Sequence, residues 1–125
     1  MTNEEMLKLA KEVSKKAYSP YSKVQVGAVL LVGNEKIYTG VNVENSSYGG
    51  TICAERTAFV KAISEGERQF KKIAVAGSIR NLVPCGICRQ FMSEFNKELE
   101  VIYEDEAGNM VVTNLSELFP HGFSL

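Results

Sequence analysis

The chain has 125 residues, a length that fits one domain and leaves little room for a second. Its 14 Lys and Arg against 15 Asp and Glu give a net charge of −1, a balance that argues against an extended basic surface for nucleic acid. No apolar run approaches the length of a membrane span, and the acidic start Met1-Thr-Asn-Glu-Glu5 is no secretory signal, so a cytoplasmic location is expected.

Residues 2–17 read as an amphipathic helix. Thr2 and Glu5 have the spacing of a capping box, and Met6, Ala10, Val13 and Ala17 fall on one stripe. Ser19-Pro20 ends it, because a residue before proline is pushed out of the helical region. The apolar run 26–32 reads as a buried strand and residues 36–41 as its partner, joined through the hairpin signal Gly33-Asn34. A polar stretch, residues 44–51, contains Gly49-Gly50. A helix is expected over about residues 52–64, stopped by Gly66, then a buried strand at 73–76. Pro84 is expected to open the next helix, in the position where its missing N–H does no harm, with that helix reaching about Asn96. Residues 99–103 and 110–112 are two further strands, separated by the turn-forming run 105–109. Asn114 and Glu117 are expected to cap a last helical turn before Pro120. Helices alternating with strands, a hairpin and helical crossovers together predict an α/β sandwich with a mixed sheet, formed by residues 1–125 as one domain.

The chemistry concentrates in Thr51-Ile-Cys-Ala-Glu-Arg-Thr57 and Val83-Pro-Cys-Gly-Ile-Cys-Arg-Gln90, each at the start of a helix after a loop. Three cysteines, two of them in Cys-x-x-Cys, make a poor disulfide framework and a better metal or redox arrangement in a reducing compartment. Cys85 and Cys88 stand three apart in a first turn, so both sulfurs can face one point. Cys53, at the start of a neighbouring helix, can supply a third thiolate. Three protein ligands with an open fourth position describe a catalytic zinc site, whereas four describe a closed structural one. The single histidine, His121, keeps a closed Cys3His site as an alternative, and a thioredoxin-like redox pair is another.

Glu55, two residues after Cys53, weighs for the catalytic reading. A carboxylate beside a zinc-activated water can take its proton and pass it to a substrate. Alone, it would read as an ordinary first-turn carboxylate facing the helix dipole. Arg56 addresses an electrostatic difficulty. Three thiolates leave a zinc site with a net charge of about −1, which weakens its power to acidify water, and a guanidinium on the sulfurs draws charge back. Arg89, directly after Cys88, either does the same or forms a surface salt bridge.

With these motifs together, the sequence resembles the cytidine deaminase family in its short, homotetrameric form. The likeness runs from Ser19-Pro-Tyr-Ser-Lys23 and Val26-Gly-Ala28 to Phe119-Pro-His-Gly-Phe123. Its most specific part is Cys-Ala-Glu-Arg plus Pro-Cys-x-x-Cys, with Asn42-Val-Glu-Asn45 in support. The resemblance implies a three-layer α/β/α fold with a mixed five-stranded sheet, and one zinc ion per subunit on Cys53, Cys85 and Cys88. It implies hydrolytic deamination, in which water adds to carbon 4 of cytosine, Glu55 protonates ring nitrogen 3, and ammonia leaves. It also implies Asn42 and Glu44 on the ribose 3′-hydroxyl, the Ala54 backbone on the base, and Phe123 stacked on a base held by the neighbouring subunit. The last has a physical motive: an aromatic beyond Pro120, at a terminus that would otherwise fray, needs a partner surface. The implied partner is a nucleoside of pyrimidine salvage, with neither nucleic acid nor membrane expected. The chain departs from the family pattern at Val24, where an aromatic usually packs on the base. Three other readings use the same residues: deamination of a cytosine-nucleoside antibiotic, polynucleotide editing, and a zinc-stabilised binding module. Editing lacks the basic excess that holds a strand. The binding module requires a fourth ligand and tolerates loss of Glu55.

Overall fold

Helix α1 (Asn3–Val13) begins at Thr2, whose hydroxyl accepts the Glu5 N–H while the Glu5 carboxylate accepts the Thr2 N–H. This is the capping box expected from the sequence. In the computed structural model, which describes all 125 residues, the helix is shorter than expected because Ser14–Lys16 tighten into a 3₁₀ turn. Its buried stripe is Met6, Ala10 and Ser14, with Val13 and Ala17 only half-buried. Gly27 explains the shift. A Cβ there would lie 2.0 Å from the Ala10 carbonyl oxygen and 2.7 Å from the Ser14 nitrogen, so backbone packs directly on backbone.

Strands β1 (Val26–Val32) and β2 (Ile37–Val41) form the hairpin, pairing Gly27 with Val41 and Leu31 with Ile37. The left-handed residue of its turn is Glu35, at φ 69°, rather than Gly33 or Asn34. The Glu35 N–H donates to Val32 O and the Val32 N–H to Lys36 O, both at 3.0 Å, giving a three-residue loop that reverses at its last position. Strand β3 (Phe70–Gly77) runs antiparallel to β1 on its other side and parallel to β4 (Glu100–Glu104), which pairs antiparallel with β5 (Met110–Asn114). The order β2-β1-β3-β4-β5 is the mixed five-stranded sheet that was expected.

Helix α2 (Ala54–Ser64) joins β2 to β3, and α3 (Gly86–Ser93) supplies the crossover that the parallel pair β3–β4 requires. A last turn, α4 (Leu115–Leu118), follows β5. Alternation along the strands separates the two faces of the sheet. Ala28, Leu30, Ile73, Val75 and Val101 pack with Phe59, Met92 and Leu115, from α2, α3 and α4. Val29, Leu31, Ala74, Ala76 and Ile102 pack with Met6 and Ala10 of α1. The layers are therefore α/β/α. No helix is long and apolar enough to cross a membrane.

Three expected boundaries are corrected. Pro84 does not open α3: Cys85 is its N-cap and Gly86 its first residue, with Pro84 buried one position earlier. The helix stops at Ser93, because Asn96 turns its side chain onto Phe70 O at 2.7 Å and the Glu98 N–H at 2.9 Å. Ile52 lies outside α2, in a bridge to Val43, and Cys53 is the N-cap. Asn114 stands at the N-cap of α4 without a side-chain capping bond, and Glu117 instead accepts the Thr113 hydroxyl at 2.8 Å.

Gly40 of β2 sets how closely α2 lies on the sheet. A Cβ there would sit 2.4 Å from Ala54 O and 2.5 Å from the Ala58 nitrogen, both backbone atoms of the helix that follows Cys53. Gly40→Ala is therefore expected to destabilise by about 1–3 kcal/mol through overpacking, read as a lowered thermal midpoint. Gly49→Ala, where a Cβ meets nothing within 4 Å, is the matched control expected to leave it unchanged. Equal midpoints for the two variants would contradict the close helix–sheet approach.

Candidate active site

The N-terminal ends of α2 and α3 meet on the α2–α3–α4 face of the sheet and bring the three cysteines together. Cys53 and Cys85 are the two N-caps, both in extended conformation, and neither side chain makes a capping bond to its helix. Cys88 is buried one turn into α3. Cys53 Sγ and Cys85 Sγ are 3.7 Å apart, and all three sulfurs lie within 4.8 Å of one another. Tetrahedral Zn–S bonds of about 2.3 Å set sulfurs about 3.8 Å apart, so the cluster fits one zinc ion. His121 is exposed near the C-terminus and does not belong to the cluster. Two helix starts border this centre, and the partial positive charge of a helix N-terminus favours thiolate there.

The sulfurs are electrostatically unequal. The hydrogen bond from Cys88 and the Arg56 guanidinium push Cys53 down to about 5, while the same hydrogen bond and burial hold the Cys88 thiol up. Arg56 Nη2 donates to Cys53 Sγ at 3.5 Å, and its buried Nε has no hydrogen-bond partner. Its cation is thus aimed at sulfur rather than at a carboxylate. Arg89 does neither of the two things expected of it. Its Nε donates to Pro84 O at 2.7 Å and its Nη1 to Leu118 O at 2.8 Å, bracing the cysteine loop against α4.

Glu55 is 4% exposed in the first turn of α2. Burial, with the nearby Cys53 thiolate adding to it, pushes its carboxyl up to about 7. A carboxyl group poised there can both accept and donate a proton near neutrality.

A cavity of about 270 Å³ opens over Cys53, Cys85 and Glu55. Asn42, Glu44 and Ala54 also line it, so most of the expected site residues converge there. Asn42 and Glu44 have a second occupation that the sequence did not disclose. Asn42 Oδ1 accepts the Val26 N–H and its Nδ2 donates to Val24 O, both at 2.8 Å. That leaves one N–H and one lone pair for a ligand. Glu44 Oε1 accepts the Tyr21 and Ser22 N–H groups at 2.9 and 3.1 Å, and Oε2 accepts the Ser22 hydroxyl. These bonds, that of the Ser22 hydroxyl foremost, hold Glu44 below the usual carboxylate range.

Phe123 does not line the cavity of its own chain. It is 57% exposed, and both its N–H and its carbonyl are held by the Gln90 side-chain amide at 3.1 and 2.8 Å. Val24 does line the cavity, as do Thr51 and Val83, the first residues of the two cysteine motifs, and Ser22 and Leu82, to which the sequence had given no role. Ser22 sits in the Ser19-Pro-Tyr-Ser-Lys23 run, whose family likeness was the one available signal. Leu82 is an ordinary residue whose placement follows only from the fold.

A three-thiolate centre at two helix starts, beside a buried carboxyl group and under an open cavity, defines a catalytic zinc site of the hydrolase type. Residues 1–104 match the family model of the cytidine and deoxycytidylate deaminase zinc-binding region, and the chain belongs to that family. It is 44% identical to a cytidine deaminase of Sporosarcina psychrophila, over 99% of this chain and 93% of that one. It is 46% identical to a probable cytidine deaminase of Dictyostelium discoideum, over 97% and 83% of the two chains. The crystal structure of cytidine deaminase from Burkholderia pseudomallei superposes with a TM-score of 0.91 at 43% identity, covering 98% of this chain and 100% of that one.

Separate alanine variants of Cys53, Cys85 and Cys88 are each expected to lose zinc on dialysis, measured by elemental analysis, while His121→Ala keeps it. Zinc loss from the His121 variant would mean a fourth protein ligand and a closed site.

Proposed function

We propose that this protein is a zinc-dependent cytidine deaminase, which hydrolyses cytidine and 2′-deoxycytidine to uridine and 2′-deoxyuridine with release of ammonia. The observation that carries this reading is the shared cavity, in which a buried carboxyl group and the three-thiolate centre face the same space as two polar side chains with unused hydrogen-bonding capacity. Zinc on the three thiolates supplies an acidified water as nucleophile. Glu55 takes a proton from the attacking water and delivers it to ring nitrogen 3 as the bond to carbon 4 forms. It then takes the remaining proton of the hydroxyl added at carbon 4 and delivers it to the amino nitrogen, which departs as ammonia as its bond to carbon 4 breaks and the carbonyl forms. The Ala54 backbone, at the start of α2, orients the base.

Asn42 and Glu44 take the ribose 3′-hydroxyl, and a site built to bond that hydroxyl penalises free cytosine, which leaves those groups unpaired. The family description covers nucleoside and nucleotide substrates alike. Here the acidic side chains lining the cavity, Glu44 and Glu55, have no Lys or Arg beside them in the lining, so no basic side chain there would offset the charge of a phosphate. The nucleoside is the substrate that fits.

None of the lining residues is aromatic, so a ring to stack on the base comes from elsewhere. The Phe123 of a neighbouring copy is our candidate, in a homotetramer with shared sites, because its ring is exposed while Gln90 fixes its backbone. The physiological setting that follows is cytoplasmic pyrimidine salvage.

Glu55→Gln is expected to retain zinc and lose about 10²–10⁴-fold in turnover of cytidine, followed by the ultraviolet change on deamination. Near-normal turnover would remove Glu55 from the chemistry. In the same assay wild-type protein should consume cytidine and 2′-deoxycytidine and leave free cytosine and deoxycytidylate almost untouched. Comparable rates on deoxycytidylate would overturn the nucleoside assignment. Sharing of sites is checked by dissociating and reassembling Glu55→Gln with Phe123→Ala subunits. Activity above that of either parent is expected, and none in verified mixed oligomers would contradict it.

A further inference from the structure

The loop that leads into β1 contains one side chain in contact with both the Glu44 carboxylate and the Val24 backbone. The Val24 N–H donates to Ser22 Oγ at 3.1 Å, and the same hydroxyl meets Glu44 Oε2. A hydroxyl has a single proton, and an ionised carboxylate can only accept. The Ser22 proton therefore points at Glu44, and the orientation of the hydroxyl is fixed from both sides. Lys23, at φ 65°, makes the reversal that returns the Val24 N–H to this hydroxyl.

The remaining bonds close a circuit. The Tyr21 and Ser22 N–H groups hold the other Glu44 oxygen, and Asn42 holds Val24 O and the Val26 N–H. Backbone amides fix where Glu44 Oε1 sits. Only Ser22 reaches Oε2 and so limits how the carboxylate rotates about that anchor.

We propose that Ser22 is a positioning residue for nucleoside recognition, fixing the Glu44 carboxylate so that its free lone pair faces the sugar hydroxyl. This rests on the reading of Glu44 as a sugar-binding group. Ser22 touches neither the sulfurs nor Glu55, so its effect falls on substrate binding and far less on the chemical step. Its hydroxyl is matched to this task in a way that a methyl group is not, whereas threonine retains both the donor and the acceptor.

The test compares cytidine with 3′-deoxycytidine in wild-type protein and in Ser22→Ala, Ser22→Thr and Glu44→Gln, with zinc content and thermal midpoint as checks of folding. Loss of a hydrogen bond to a charged group predicts that Ser22→Ala raises KM for cytidine about tenfold, with a much smaller change in kcat. KM for 3′-deoxycytidine should hardly move, and Ser22→Thr should restore most of the cytidine KM. An equal rise in KM for both nucleosides, or no rise for either, would overturn the proposal. Glu44→Gln separates the two layers. If it discriminates between the nucleosides and Ser22→Ala does not, the Ser22 proposal alone falls; if it does not discriminate, the sugar-binding reading of Glu44 falls with it.

Discussion

Bringing three thiolates within a few ångströms of one another is the most demanding requirement this chain meets, and much of the surrounding structure serves it. Like charges at that distance repel strongly unless a cation lies among them and positive partial charge lies around them. Zinc meets the first need. Two helix N-termini meet the second, because Cys53 and Cys85 occupy the N-cap positions of α2 and α3, where the helix dipole places positive partial charge. Arg56 adds a full charge from the same turn, directed at Cys53. The scaffold that permits this is specific: Gly40 lets α2 lie directly on β2, and Arg89 ties the Pro84 carbonyl to the end of α4.

The other half of the cavity is organised by polar rather than ionic constraint. Asn42 and Glu44 divide their hydrogen-bonding capacity between the entry loop of β1 and the open space of the cavity. This arrangement orders the loop and leaves a defined remainder for a ligand. Preorganisation of this kind removes conformational cost from binding. It also makes this half of the cavity a product of two segments apart in the chain, the loop before β1 and the stretch after β2.

Much of this was legible in the sequence, and the parts that were not share a cause. The capping box at Thr2 and the continuous apolar runs of β1 and β3 follow from local pattern, which survives folding unchanged, and the mixed sheet follows from the order of the elements. The gathering of the three cysteines was legible because metal ligation constrains residue type and spacing together. Pro84 was misplaced by two positions, because Cys85 is the extended N-cap and Gly86 the first helical residue. The buried stripe of α1 moved to Ser14 because Gly27, far along the chain, opens a backbone contact that no helical period encodes. The clamping roles of Asn42, Glu44 and Arg89 were hidden for the same reason. Their partners are largely backbone groups, which carry no sequence signature.

The central claim is that three thiolates hold one zinc ion and leave its fourth position to solvent or substrate. X-ray absorption at the zinc edge tests it most directly on purified protein carrying one zinc per chain. The predicted spectrum has three sulfurs at about 2.3 Å and one light scatterer at about 2.0 Å, the latter changing when a nucleoside analogue is added. A four-sulfur shell, or a fourth ligand with the multiple-scattering pattern of imidazole that ignores the analogue, would contradict it.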